Sequence, residues 1–358
     1  MSADKLADFI NAVSGEDRLA VEENFGDGYV RLRTAEAERR QAKHDIRAVE
    51  DIVIEMLRNA RDAHAGTIFV ATGKSDDIRT LTFIDDGDGV PADMQEHIFE
   101  PRVTSKLESM VVDRWGVHGR GMALYSIRCN TLEARVLASA KGLGSAFGVK
   151  ADLASLPEKA DQSTYPDVCR DEDGTLEVGR GPHNIVRTIV EFALESKERV
   201  SVYYGTPTEI VAALFEHGRR RLSDEQLLFC DDVEGLPVCM RCAAAADALD
   251  LVDICASIGL PISERTAHRV MAGKIVPACQ PLKQVMPTRA RRAAHAVDIY
   301  KDSRGLKIAP DDLARFTHEL ERAFDTLSGR YYLALSDKPK VRVGKDCISV
   351  KFPIDKEL

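Results

Sequence analysis

The run IRAVEDIVIEMLRNARDA, Ile46 to Ala63, has two opposed faces. Ile46, Val49, Val53, Met56, Leu57 and Ala60 recur at three- and four-residue steps, the period of an amphipathic helix. The pattern predicts a helix over His44–His64. At about 100° per residue, Glu55, Asn59 and Asp62 fall within about 60° of one another on the side opposite the apolar stripe. One face packs, and the other presents a carboxylate, a carboxamide and a carboxylate along about two turns. On an isolated helix such a stripe is usually just a solvated face. The segments downstream of the helix decide between the two.

Two strand patterns come next, GTIFVAT at Gly66–Thr72 and RTLTFID at Arg79–Asp85. The second runs directly into Asp85-Asp86-Gly87-Asp88-Gly89. Glycine has no Cβ, so such a turn lets backbone approach a flat ligand, and the aspartate can accept a hydrogen bond from an exocyclic amine. A short helix is expected near Ala92–Phe99. Gly116-Val-His-Gly119-Arg-Gly121 then opens a helix expected to reach Asn130. Glycine-rich backbone at a helix start offers N–H groups and the positive dipole end, which suits phosphate. Strands are expected at Glu133–Ala138 and Ser145–Ala151. Helices mixed with antiparallel strands describe an α+β layered fold, not a strict βαβ alternation.

Each segment alone is weakly informative, but their order and spacing are specific. Glu55-x-x-x-Asn59-x-x-Asp62, Asp85-x-Gly87-x-Gly89 and Gly116-x-x-Gly119-x-Gly121 resemble the three boxes of GHKL ATP-binding domains. These domains are shared by gyrase-type topoisomerases, mismatch-repair ATPases, heat-shock chaperone ATPases and sensor histidine kinases. Ile98-Phe-Glu-Pro-Arg-Val-Thr-Ser-Lys106 and Gly144-Ser-Ala-Phe147 are similar to segments of histidine kinase catalytic domains. The resemblance spans about residues 40–155 and implies a Bergerat-type α/β two-layer sandwich. It also implies roles. Asn59 would hold Mg²⁺ against the phosphates of ATP, a neutral oxygen ligand for a hard cation. Asp85 would accept the adenine amine, with Gly87 and Gly89 beside the base. Gly116, Gly119 and Gly121 would form a lid over the phosphates. Lys106 would neutralise their charge, and Asp62 would support the site through hydrogen bonds.

Glu55 bears on the reaction. It precedes Asn59 by one helical turn, where a carboxylate can orient and deprotonate water for hydrolysis. Histidine phosphotransfer would need an acceptor. His44-Asp-Ile-Arg47 has the look of an acceptor motif, yet a continuous helix would hold His44 about 22 Å from Asn59. The expectation is therefore an ATP-binding protein that uses binding and slow hydrolysis as a conformational switch. An atypical histidine or protein kinase acting in trans, or an ATP-sensing DNA-binding regulator with little turnover, are the alternatives.

The remainder of the 358 residues is less explicit. The expected organisation is an ATP-binding domain over 1–155, a linker or surface excursion over 156–182 rich in Pro, Gly, Asp and Ser, and a C-terminal α+β regulatory region over 183–358. Within the last, Leu251–Lys274 resembles a helix-turn-helix, with Ser263 as the cap of its second helix and a turn about one residue longer than usual. Helices are also expected over Asn184–Ser196, Thr206–Arg221, Met240–Ala256 and Pro310–Leu327. A strand is expected at Arg199–Tyr204, and a hairpin at Lys340–Val343 and Cys347–Phe352. The net charge of −9 argues against a uniformly nucleic-acid-coated protein. Residues 261–309, however, carry ten Lys/Arg against three acids, a local +7 that suits contact with DNA phosphates. A protein partner or a second copy of the chain could equally read the nucleotide state.

No charge-free run approaches the roughly 20 apolar residues of a membrane span. The N-terminus has no basic segment followed by an apolar core. The expectation is a cytoplasmic protein with reduced thiols. Cys239 and Cys242 have ligand spacing and Cys230 lies upstream, but no second pair is present at a matching distance, so buried thiols are expected ahead of a zinc site.

Overall fold

A computed structural model describes residues 21–34, 36–105, 111–113, 116–118, 121–159, 161–170, 175–196, 199–223, 225, 232–286, 310–331, 333–343 and 348–356. The chain divides into two compact units, Met1–Met286 and Pro287–Leu358. The boundaries expected at 155 and 182 fall inside the first.

The first unit opens with strands β1 (Val21–Gly26) and β2 (Tyr29–Leu32), then helices α1 (Glu36–Asp45) and α2 (Val49–Asp62). Strands β3 (Thr67–Ser75) and β4 (Ile78–Asp85) lie close to their expected spans. The helix expected near Ala92–Phe99 is two single 3₁₀ turns, Ala92–Met94 and His97–Phe99. Then come β5 (Val103–Thr104), β6 (Val111–Asp113), β7 (Gly116–His118), α3 (Ala123–Asn130), β8 (Glu133–Ser139) and β9 (Ser145–Asp152). They are followed by β10 (Val168–Arg170), β11 (Leu176–Val178), α4 (Ile185–Glu195), β12 (Ser201–Gly205) and α5 (Pro207–Arg219). The unit closes with a 3₁₀ segment over Val238–Ala244, then α6 (Ala248–Ser257), α7 (Glu264–Met271) and α8 (Pro281–Val285).

The main sheet has the order β12-β3-β4-β9-β8. Only β12 runs parallel to its neighbour; the other pairs are antiparallel. Successive side chains on a strand point to opposite faces. Ile68, Val70, Leu81, Phe83, Phe147 and Val149 therefore share one core with Ile52 and Leu57 of α2, Ile127 of α3 and Ile189 of α4. The intervening residues Phe69, Ala71, Ile84 and Ala146 enter a second core with Leu214 of α5, Val238, Leu251 of α6 and Val270 of α7. The sandwich expected from the sequence is the half that carries α2. The opposite face of the sheet carries a further helical layer, and β12, α5, α6 and α7 are thereby part of the same compact unit.

The helix expected over His44–His64 is broken into α1 and α2. Asp51 supplies the reason: its carboxylate accepts the backbone N–H of Arg47 at 2.9 Å and of Ala48 at 3.0 Å. Asp51 thereby satisfies the N–H groups that precede a new helix start at Val49. Met240–Ala256 is likewise broken, because Asp247 caps α6 by accepting from the N–H groups of Leu249 and Asp250, both at 2.9 Å.

Segment 156–165 looks like a linker in composition but is fastened by buried polar groups. Glu50, 2% exposed, accepts from Gln162 Nε2 at 2.6 Å and from the Lys159 backbone N–H. Burial raises its pKa. Asn184, wholly buried, caps α4 through Arg187 N–H and donates to the carbonyls of Asp161 and Thr164 at 2.6 and 2.7 Å. A buried polar group without such partners is costly, so these bonds fix the segment against α2 and α4.

The second unit holds α9 (Pro310–Tyr331), strands β13 (Leu333–Leu335) and β14 (Lys340–Val343), and strands β15 (Ile348–Lys351) and β16 (Ile354–Lys356). The hairpin pairing β14 to β15 is the expected one. Its turn at Gly344–Asp346 and Cys347 lies outside the described residues. Phe324 is buried and stacks on Phe352 at 5.3 Å.

Candidate functional site

The polar stripe of α2 faces a cavity of about 850 Å³. Glu55, Asn59 and Asp62 all line it. The opposite stripe of the helix is buried in the first core, so packing fixes which side chains reach the cavity.

Asp85 closes one wall. It ends β4 opposite Ser145 of β9 and is 4% exposed. Its Oδ1 accepts the Gly87 N–H at 2.9 Å. Burial pushes its pKa up to about 7, opposed by that hydrogen bond and reinforced by the charges of Asp86 and Asp88. Gly89 also lines the cavity. Its φ is +72°, and a Cβ there would overlap the Ala140 carbonyl oxygen. Protein backbone on the far side of the turn thus already requires glycine at this position.

Gly121 lines the cavity just before α3, at φ +68°. Its carbonyl accepts the N–H of Arg102, itself held at φ +60°, a conformation an L side chain rarely adopts. Gly116 pairs with Asp113 where β6 meets β7. Gly87 is beside Asp85 and, among the described residues, is not one that lines the cavity. Lys106 and Gly119 lie outside the described residues.

Asn59 carries the most informative atom. Its Nδ2 is buried and has no hydrogen-bond partner among the described residues. An orphaned amide in a cavity wall costs stability unless a ligand meets it. Glu55 is engaged differently: Arg58 Nη1 donates to its Oε1 at 2.6 Å. Arg61 pairs with Asp62 at 3.4 Å.

Several lining residues are assigned no role by the sequence: Tyr29, Arg58, Arg102, Ser145, Phe147 and Lys159. Arg58 sits inside the first box, and its three-residue spacing from Glu55 was the available signal. Ser145 and Phe147 belong to the Gly144–Phe147 segment already singled out. Tyr29 arrives through β2, whose Val30 pairs with Thr104 of β5. Burial raises the pKa of its hydroxyl, and the neighbouring Ser105 side chain opposes the rise. Lys159 arrives through the fastened 156–165 segment and pairs with Asp51 at 2.7 Å. No local pattern announces either. His44 also lines the cavity, because the break after α1 removes the rigid spacing that a single helix would impose.

The cysteine and helix-turn-helix readings meet specific neighbours. Cys242 lies 3.8 Å from Cys255 in the second core. Burial pushes Cys239 up to about 12, and the contact with the Cys255 thiol, together with burial, holds Cys242 well above the usual thiol range. Cys230 lies outside the described residues. Helices α6 and α7 flank the turn that contains Gly259, and Ser263 caps α7 through Thr266 N–H at 3.3 Å. The turn is seated on the sheet, where Thr82 Oγ1 donates to the Gly259 carbonyl at 3.1 Å. Arg265 and Arg269 are exposed on α7; residues 287–309 of the basic segment lie outside the described residues.

A mixed α/β sandwich whose cavity joins a carboxylate–carboxamide helix stripe to a buried strand-end aspartate defines a nucleotide-binding class of domain. Residues 44–155 match the family described as histidine kinase-, DNA gyrase B-, and HSP90-like ATPase, and this segment is a GHKL-type ATPase domain. It covers under a third of the chain. A solved structure similar to the chain is that of full-length ShkA in complex with AMPPNP, at 19% identity and a TM-score of 0.23. The alignment covers 49% of this chain and 32% of that one, so the chain spans about a third of that protein's length. No curated protein matches the chain. Among the described residues, no helix is long and apolar enough to cross a membrane.

Proposed function

We propose that the cavity binds ATP with Mg²⁺ and that binding followed by slow hydrolysis acts as a conformational switch. The observation that carries this reading is Asn59, whose amide is buried without a partner in the wall it shares with Glu55 and Asp62. Its carbonyl oxygen would hold the cation, and its Nδ2 would donate to a phosphate oxygen. When bound, Mg²⁺ neutralises phosphate charge during transfer. Asp85 would accept the adenine amine and so select against guanine, which presents a carbonyl at that edge. Gly116, Gly119 and Gly121 would cover the phosphates, with Lys106 adding positive charge. Asp62 would support the wall through its hydrogen bonds.

Glu55 accepts the proton of the attacking water as the water oxygen bonds to the terminal phosphorus. The bond from that phosphorus to the bridging oxygen breaks, its electron pair leaves on ADP, and Glu55 returns the proton to solvent. Phosphate release by the purified full chain tests the reading. Release abolished by Glu55→Ala and by Asn59→Ala supports it. Label transferred to a protein histidine points instead to phosphotransfer, and absence of ATP binding overturns the scheme.

A second reading rests on α7, which exposes Arg265 and Arg269 beside the capped turn. A regulator that senses ATP with little turnover would bind DNA with strong salt dependence. Nucleotide binding without turnover, together with salt-sensitive DNA affinity, would favour it.

A further inference from the structure

Arg58 stands one turn along α2 from Glu55, and both side chains line the cavity. Only 5% of the Arg58 side chain and 21% of the Glu55 side chain are exposed. The helix pairs Arg40–Glu36 and Arg220–Glu216 are open to water, where such contacts contribute little. The Arg58–Glu55 pair is shielded, so its Coulombic and hydrogen-bond attraction is screened less. Breaking it by removing one partner would leave a poorly hydrated charge in the cavity wall.

A glutamate reaches its carboxylate through three rotatable bonds. A general base must keep one oxygen within hydrogen-bond reach of the water it activates, and small misplacements are costly. A guanidinium is planar and directional, so it fixes a carboxylate in a way that a point charge does not. A carboxylate offers about four lone-pair sites, so a bond to Oε1 leaves capacity for a water.

We propose that Arg58 is the positioning residue for Glu55, holding its carboxylate toward the water that attacks the terminal phosphate. The role rests on the hydrolytic function proposed for the same cavity. Arg58 acts through Glu55 and does not hold the nucleotide.

The test measures ATP turnover, AMPPNP affinity and thermal melting of the full chain. It compares the wild type, Arg58→Met, Arg58→Lys, Glu55→Gln and the Arg58→Met/Glu55→Gln double variant. Arg58→Met is expected to lower kcat about 10-fold or more while the AMPPNP Kd changes less than about threefold. Arg58→Lys restores part of kcat. The double variant is no slower than Glu55→Gln alone, because both changes disable one device. Losses that multiply in the double variant overturn the proposal, as does a Kd that weakens in step with kcat. If Arg58→Met does not fold, the lysine variant decides: lowered kcat at unchanged Kd supports the role, and wild-type kcat overturns it. A wild-type chain without turnover, or one whose turnover survives Glu55→Gln, overturns the hydrolytic reading itself; Arg58 alone is at fault when that reading holds and the Arg58 outcomes fail.

Discussion

The two faces of the central sheet are built from alternating residues of the same strands and do opposite work. Phe83 and Asp85 point toward α2 and the cavity, whereas Ile84 enters the second core. Asp85 and Asp86 divide in the same way. The Asp85 carboxylate lines the cavity, and burial shifts it up to about 7. Asp86 accepts the N–H groups of Gly66 and Thr67 at 2.8 and 2.7 Å and so secures the start of β3. Burial in the second core also disfavours charge on its histidine. Burial pushes His217 down to about 4, where it meets Phe69 edge-on at 5.1 Å. One face keeps unsatisfied polarity for a ligand, while the other spends its atoms on packing. Substitutions should therefore divide into those that abolish function in a folded chain and those that unfold it.

The largest expected effect is at Asn59. Asn59→Ala removes the orphaned amide and should lower ATP turnover at least about 1,000-fold while melting at or above the wild-type temperature; phosphate release and calorimetry check both. Next, Leu214→Ala in the second core should cost about 2–5 kcal/mol in denaturant unfolding, with AMPPNP still binding whatever remains folded. A nucleotide-site defect in that variant at temperatures where it is fully folded would break the division between the faces.

Asp85 gives a smaller, pH-dependent effect. Its folded pKa of about 7 lies above the ordinary value of 3.8. Its contribution to stability is therefore full below the ordinary value and lost as pH rises through about 7. Asp85→Asn should melt higher than wild type at pH 8, with the gap closing by pH 5, and should bind ATP more weakly throughout. Melting curves across that range decide the sign. The smallest effect is Thr82→Val, which removes the hydrogen bond to the Gly259 carbonyl and should cost about 1 kcal/mol without changing turnover.

How much was legible in the sequence depends on the range of the interactions. The α2 stripe, β3, β4, β8 and β9 are periodic patterns written in consecutive residues, and Glu55, Asn59, Asp62, Asp85, Gly89 and Gly121 do converge on one cavity. Helix breaks were harder. Ile46 and Val49 fit one apolar stripe across residues 46–49, and only the reach of Asp51 back to two N–H groups shows that the chain restarts there. The role of 156–165 was hidden because composition reports solvation tendency, whereas Glu50, Gln162 and Asn184 are satisfied only by each other's neighbourhoods. The second core was invisible for a related reason. A strand with both faces apolar does not say which later segment will cover it.

The 140–144 turn shows what that covering layer means in practice. The Leu143 carbonyl receives the Val238 N–H at 2.8 Å, and the Gly142 N–H reaches back to Asp88 at 2.6 Å. A residue nearly a hundred positions downstream thus braces the turn that frames Asp85. Excising the ATPase segment at residue 155 would remove that brace. It would also present Phe69, Ala71, Ile84 and Ala146, four buried side chains on adjacent strands, to water as a sticky plate. Transplanting this nucleotide site into another protein therefore means carrying the chain through to Met286.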